Sequence, residues 1–226
     1  MPDRDYEALR SGMVERQLRR RGIEDERVLA AMGEVPRERL VGARQRRRAY
    51  ADSALPIGHG QTISQPWIVA AICEGLALTG TEKVLEVGTG SGYSACVLSK
   101  LAREVITIER IEELAQEARK ALAELEATNV EVVVGDGSKG LPDRAPFEGI
   151  AVHATAPEAP SSLIEQLADG GRLVIPIATD RADMLTVFRR QGDELSGTSL
   201  GPCRFVPLIG DEGFAERRWR RGGGSG

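Results

Sequence analysis

The stretch Val84-Leu85-Glu86-Val87-Gly88-Thr89-Gly90-Ser91-Gly92-Tyr93 decides the fold. Its first half reads as a short apolar strand, alternating glycines follow, and Tyr93 opens a run with helical spacing. Glycine at every second position lets the backbone take positive φ and lets a ligand approach main-chain N–H groups that a Cβ would shield. A strand that ends in such a turn and runs into a helix is the usual seat of a nucleotide-like ligand. Alone, the motif leaves a plain tight turn open as the alternative.

Two acids select the ligand. Glu86 stands two residues before Gly88, where a dinucleotide's pyrophosphate would meet a carboxylate at close range and be repelled. S-adenosylmethionine carries no phosphate there, and its α-ammonium and sulfonium favour a carboxylate beside the methionine moiety, directly or through water. Glu109 closes the next apolar run, Val105-Ile106-Thr107-Ile108, and a carboxylate at the end of the second strand can accept both ribose hydroxyls. Asp136, in Gly135-Asp136-Gly137, follows the apolar run Val130 to Val134 and is placed for the adenine amino group. With an acid at the end of each of three successive strands, the plain-turn alternative recedes.

Working outward, strands are predicted over 83–87, 105–109, 130–134, 148–153 and 172–177. Helices are predicted over 92–102, 111–127 and 160–168, with a loop through Pro142. This alternation predicts an α/β fold, a doubly wound and mostly parallel sheet covered on both faces. Ligands in such sheets bind at the carboxyl ends of the strands. The last part changes character: Leu185–Arg190 and Cys203–Leu208, separated by the turn-rich Gln191 to Gly201, read as two antiparallel edge strands. Upstream, helical spacing over 6–20 and 25–33, with Asp25 near an N-cap and Pro36 past the end, gives an N-terminal helical cap. Residues 52–66 read as irregular, and Pro66 opens a helix that runs to Leu78. The expected division is a cap with an active-site loop over 1–66, a cofactor-binding domain over 67–215, and a basic, then Gly-rich, flexible tail over 216–226.

With 226 residues, 41% hydrophobic and 4% aromatic, the chain suits one ordinary α/β core. No apolar run has the length of a membrane span and the polar start Met1-Pro2-Asp3-Arg4-Asp5 is unlike a signal peptide, so a cytoplasmic protein is expected. Cys73, Cys96 and Cys203 are odd in number and widely spaced, which fits buried thiols rather than a metal or disulfide framework; the two histidines do not cluster, and no metal site is expected. Residues 1–50 hold 13 Arg against 9 acids and the remainder 17 Lys and Arg against 25 acids. Arg19-Arg20-Arg21 and Arg46-Arg47-Arg48 are mixed with acids and lack interleaved aromatics, so they read as a solvated helix face rather than a nucleic-acid footprint.

The segment Gly60-Gln61-Thr62-Ile63-Ser64-Gln65-Pro66 carries a sharper signal. Together with the glycine turn, Gly135-Asp136-Gly137, Ala154-Thr155-Ala156-Pro157, Leu167 to Pro176 and Phe205-Val206-Pro207-Leu208, it resembles the protein-L-isoaspartate (D-aspartate) O-methyltransferase family over nearly the whole chain. The resemblance implies S-adenosylmethionine as cofactor, S-adenosylhomocysteine as product, and isoaspartyl proteins and peptides as partners. The family methylates the free α-carboxylate of isoaspartyl residues, and the ester collapses to a succinimide that hydrolyses partly to normal aspartate. By the same resemblance Ser64 corresponds to the active-site serine. Thr62, Ile63, Glu86, Gly88, Thr89, Gly90, Gly92, Glu109, Arg110, Asp136 and Gly137 fall at cofactor positions. Ile57, Ala154, Thr155, Ala156, Pro157, Val206, Pro207 and Leu208 fall at substrate positions. A monomer that binds neither nucleic acid nor membrane is expected. His153 stands where the family more often has a small residue, and Thr155 replaces a commonly smaller one.

The implied chemistry fits the inventory. A carboxylate is ionised at neutral pH, so attack on a sulfonium methyl needs alignment and exclusion of water rather than a general base. Ser64 can donate a hydrogen bond to the incoming carboxylate or to the loop that orients it, and it lacks a triad that would make it a nucleophile. The alternative for Ser64 is capping of the helix after Pro66. A lone His at a strand end is usually a structural, hydrogen-bonded residue, which is the plainer reading of His153; Trp67 reads as helix core or a lid. Three competing readings remain: a carboxyl methyltransferase of the same family dedicated to one peptide or small acid, a non-catalytic cofactor-binding module, and a nicotinamide-dependent oxidoreductase. Retention of the three acids and Ser64 opposes the second, and Glu86 opposes the third.

Overall fold

In the computed structural model, which describes residues 5–216, the chain begins with α1 (Tyr6–Met13), capped by the Asp5 carboxylate accepting the Ala8 N–H at 2.9 Å. The starting Met1 to Arg4 and the basic and Gly-rich stretch from Arg217 onward lie outside the described residues. The helix expected over 6–20 does not stay α-helical: a π-helical turn takes Val14–Leu18 and a 3-10 turn takes Arg19–Arg21. Three arginines add no apolar face beyond Leu18, and Gly22, at φ +88°, ends the run in the left-handed region. Next comes α2 (Glu26–Glu34), whose N-cap Asp25 accepts the N–H groups of Arg27 and Val28. Both arginine triplets lie exposed in 3-10 turns; Arg19 pairs with Glu15 and Glu26, and Arg21 with Asp52. They are solvated, as expected, but on short turns rather than on a helix face.

Residues 52–66 are more ordered than their composition implies. β1 (Leu55–Gly58) and β2 (Gln61–Ile63) form an antiparallel hairpin with Leu55 opposite Ile63. Its turn runs through Gly58, His59 and Gly60, all at positive φ. Strands of four and three residues are too short to display an alternation, which hid them in the sequence. α3 (Pro66–Leu76) follows with proline in its first turn.

β3 (Lys83–Val87), α4 (Tyr93–Ser99), β4 (Glu104–Glu109), α5 (Glu112–Glu124), β5 (Val130–Val134), β6 (Phe147–Val152), α6 (Ser161–Glu165), β7 (Leu167–Ile177), β8 (Asp183–Gln191) and β9 (Glu194–Cys203) complete the order. The large sheet runs β5-β4-β3-β6-β7-β8-β9, parallel through β7 and antiparallel at β8 and β9. Because β3 is followed by β4 on one side and flanked by β6 on the other, the carboxyl ends of β3 and β6 border the crevice where the winding reverses. Alternation along the strands sends Leu85, Val87, Ile106, Ile108, Ile150 and Val152 into one apolar cluster. It sends Val84, Val105 and Ala151 into another, shared with α3, α4 and the cap helices. Glu86 falls on the cap side.

Three expectations near the C-terminus are corrected. The helix expected over 160–168 is only Ser161–Glu165, and β7 starts at Leu167 rather than 172. Gly170, at φ +76°, and Gly171 absorb an irregularity in the β6–β7 register, so the glycine pair that reads as a break is a bulge inside the strand. The second antiparallel strand is Glu194–Cys203, not Cys203–Leu208. β9 is largely exposed and rich in Gly and Ser, and it owes its extension to pairing with β8 rather than to an apolar pattern. Residues 204–208 leave the edge and cross back: the Thr155 N–H donates to the Val206 carbonyl at 2.8 Å and the Leu208 N–H to the Thr155 carbonyl at 2.7 Å. No helix among the described residues is long and apolar enough to cross a membrane. Cys73 and Cys96 are buried and Cys203 is partly exposed, all three free.

Candidate active site

The glycine turn is built from main-chain bonds that need no side chains. The N–H groups of Gly88 and Thr89 donate to the Ile108 carbonyl at 2.8 and 3.3 Å, and that of Gly92 to Thr89 at 2.9 Å. Gly88, Gly90 and Gly92 all sit at positive φ. A Cβ at Gly90 would come within 3.2 Å of Ile57 Cδ1, because the β1–β2 hairpin lies against the turn. Above these carboxyl ends opens a cavity of about 310 Å³, within the range that holds small ligands.

Among the residues named from the sequence, Thr62, Ile63, Ser64, Gly88, Thr89, Gly90, Glu109, Arg110, Gly137, Ala154, Val206, Pro207 and Leu208 line this cavity. Ile57, Glu86, Gly92, Asp136, Thr155, Ala156 and Pro157 do not. Glu109 spends one oxygen on the Gly90 N–H at 2.9 Å and the other on the Ile111 N–H at 3.0 Å. A carboxylate offers about four lone-pair sites, so it retains acceptor capacity. Asp136 is committed to the protein: it accepts the Ser138 hydroxyl and N–H at 2.7 and 2.9 Å, and the Asp211 N–H at 2.9 Å. Burial alone would raise its pKa, but the bonds from Asp211 and Ser138 outweigh that and lower it. Asp136 thereby ties the C-terminal crossing to the turn that presents Gly137.

Glu86 lies under the cavity floor, fully buried. Its Oε2 accepts the Thr107 hydroxyl at 2.6 Å, and since Thr107 has one proton to give, the 2.6 Å contact between Thr107 and Thr89 is donated by Thr89. Its Oε1 has no hydrogen-bond partner and faces His153 Nε2 at 3.3 Å, which in turn lies 2.8 Å from Ser94 Oγ. Burial and then the Glu86 charge push the Cys73 thiol up. Ser94 and His153 both line the cavity. Ser94 was invisible as a site residue because its partner is 59 positions away.

Ser64 lines the cavity, and its hydroxyl makes no hydrogen bond among the described residues. It does not cap α3, whose N-cap is Gln65 without a side-chain bond. Its carbonyl accepts from Arg37 Nη2 at 2.7 Å, while Arg37 Nε donates to the Ala49 carbonyl at 2.7 Å. Arg37 is fully buried, stacks 4.7 Å over the Tyr93 ring, and has its pKa lowered by burial. This clamp fixes Ser64 from behind; nothing adjacent to Arg37 in the sequence signals it.

The residues present fit a cationic nucleoside. The glycine turn has no Cβ, and the Glu109 carboxylate ending β4 lines the cavity and keeps free lone pairs. Fold and site together define an S-adenosylmethionine-dependent methyltransferase of the doubly wound α/β class. The family model for protein-L-isoaspartate(D-aspartate) O-methyltransferase matches residues 10–213. The chain belongs to that family. It is 53% identical over 209 residues to protein-L-isoaspartate O-methyltransferase of Koribacter versatilis, covering 92% of this chain and 94% of the relative. It is also 53% identical over 212 residues to protein-L-isoaspartate O-methyltransferase 1 of Rhodopseudomonas palustris, covering 93% and 86%. A solved protein-L-isoaspartate O-methyltransferase superposes with TM-score 0.82 at 29% identity, covering 94% of this chain and 69% of the other. A putative one from Plasmodium falciparum, in complex with S-adenosyl-L-homocysteine, gives TM-score 0.75 at 26% identity, covering 88% and 98%.

Proposed function

We propose that the residues around this cavity divide the work of methylating the free α-carboxylate of L-isoaspartyl residues, the first step of their repair through a succinimide. The observation that carries the reading is the juxtaposition of Ser64, with its unengaged hydroxyl, and Glu109 across one cavity roofed by the hairpin and floored by the glycine turn. Glu109 and the glycine turn hold the nucleoside, with Arg110 and Gly137 at its edge. S-adenosylmethionine, when bound, supplies an electrophilic methyl on its sulfonium. Thr62 and Ile63 on β2 exclude water, Ser64 donates to the nucleophilic carboxylate, and Ala154, Val206, Pro207 and Leu208 form the wall against which the peptide lies. The acid is already ionised, so these groups align and desolvate and no base is required.

Support for a peptide-facing wall comes from the crossing segment, since the bonds between Thr155 and both Val206 and Leu208 join the two substrate loops into one surface. Thr155 and Ala156 brace it from within: the Thr155 hydroxyl donates to Asp183 at 2.8 Å and Ala156 is fully buried. A monomeric, cytoplasmic enzyme is part of this reading, as is the division into cap, catalytic domain and tail. The cofactor assignment is tested by calorimetric titration of S-adenosylhomocysteine. Glu109→Ala is expected to weaken binding by about tenfold or more, the loss of hydrogen bonds to a charged group; unaltered affinity would remove Glu109 from the ribose site.

A further inference from the structure

His153 is a buried polar side chain to which this division of work gives no task. It directly follows β6, its side chain is 7% exposed, and it lines the cavity beside Gly88 and Ala154. Its Nε2 stands 3.3 Å from Glu86 Oε1, the carboxylate oxygen with no hydrogen-bond partner, and 2.8 Å from Ser94 Oγ. Nε2 meets both that carboxylate oxygen and the Ser94 hydroxyl, which can donate or accept, so the ring stays against Glu86 in either charge state. The imidazole stands between the fully buried Glu86 carboxyl group and a cavity that must admit a negative charge, the nucleophile.

Resting on the assignment of this cavity to methyl transfer onto an isoaspartyl carboxylate, we propose that His153 sets the charge of the wall where that carboxylate enters. Protonated, it cancels the charge of Glu86 and admits the anion; neutral, it leaves Glu86 to repel it. His59, in the hairpin turn, and the Arg110–Glu216 ion pair, 3.4 Å apart, also line the cavity, and the elements around His153 carry further ionisable groups. Burial holds the Cys73 thiol on α3 and the Tyr93 phenol on α4 in their neutral forms, the latter pushed up to about 12. Glu109 on β4 accepts two backbone N–H groups, and Asp183 on β8 accepts Thr155 and the Phe205 N–H, Phe205 itself lying with its ring 6.4 Å from that of His153. Arg37 lies behind Tyr93. Imidazole is the side chain whose ordinary titration falls between pH 5 and 8.

The test uses an N-acetylated isoaspartyl peptide lacking histidine, saturating S-adenosylmethionine, and S-adenosylhomocysteine formation as readout between pH 5.5 and 8.5. In the wild type the peptide KM is expected to rise about tenfold across the imidazole titration, as a unit charge a few ångströms away in a medium of effective dielectric near 20 allows, with kcat changing less than about twofold. His153→Gln retains a donor toward Glu86 but no charge, and its KM is expected to stay at the high-pH value throughout. The wild-type His153 ring resonances, followed by NMR, are expected to titrate at the midpoint of the kinetic profile. A flat wild-type KM, an undiminished pH dependence in His153→Gln, or midpoints more than about one pH unit apart overturns the proposal. His59→Asn, which removes the other imidazole lining the cavity, is expected to keep the wild-type pH dependence, and its loss there overturns the proposal even if His153→Gln does not fold. Absence of methyl transfer and of S-adenosylhomocysteine binding at every pH would instead deny the site assignment; transfer with a pH-independent KM denies only the charge role.

Discussion

At the scale of single residues, the arrangement assigns separate tasks to side chains that differ in what already occupies them. Glu109 and Asp136 both end parallel strands, yet Glu109 keeps acceptor sites toward the cavity while Asp136 gives both oxygens to Ser138 and Asp211. Ser64 is held by its carbonyl and leaves its hydroxyl unengaged. Ser64→Ala is expected to bind S-adenosylhomocysteine within about twofold of wild type and to lose about 10- to 100-fold in kcat, the weight of one hydrogen bond to a charged group. Unchanged kcat on an isoaspartyl peptide would reduce Ser64 to structure. The three acids were legible because each stands within or just after an apolar run. The partners that decide what each acid does were not, since Thr107, His153 and Asp211 reach them across 21, 67 and 75 positions.

At the scale of elements, the sheet was legible wherever strand identity is local and hidden wherever it depends on a neighbour. β3, β4 and β5 have their own apolar patterns; the β1–β2 hairpin and β9 exist through pairing. The misplaced C-terminal strand shows the consequence: Phe205 to Leu208 carry strand-like residues but spend their hydrogen bonds on Thr155, which delivers them to the cavity instead of the edge. Packing between elements is tight under the site. A Cβ at Gly137 would lie 2.4 Å from Val87 Cγ1, so Gly137→Ala is expected to destabilise by about 1–3 kcal/mol through overpacking. Added to Val87→Ala, which opens that space, the same substitution should cost less than it does alone. Chemical denaturation of the single and double variants checks this, and simple additivity would contradict it.

At the scale of the whole molecule, two apolar clusters lie on the two faces of one sheet, and one of them joins the cap helices to the catalytic core. Stability of this assembly depends on acid. Burial would raise the Glu82 carboxyl, but the Thr79 hydroxyl and the N–H groups of Thr79 and Gly80 outweigh it and hold it at about 2; Asp136 is lowered in the same way. A carboxyl held below its unfolded value of about 4 contributes stability that is fully present above that pH and is lost as pH falls toward the folded value. The thermal midpoint is therefore expected to fall between about pH 4 and 2, and Glu82→Gln to lower it at pH 6 while making the acid fall shallower. An equally steep fall in the variant would contradict the assignment.

The central claim is that these walls bring a carboxylate of isoaspartyl geometry, rather than any acidic side chain, against an activated methyl group. Transfer of radiolabelled methyl from S-adenosylmethionine to a peptide carrying one isoaspartyl residue, run beside the same peptide with normal aspartate, measures it. Base-labile label on the isoaspartyl peptide with background on its isomer is the predicted result; equal labelling of both, or of neither, would contradict it.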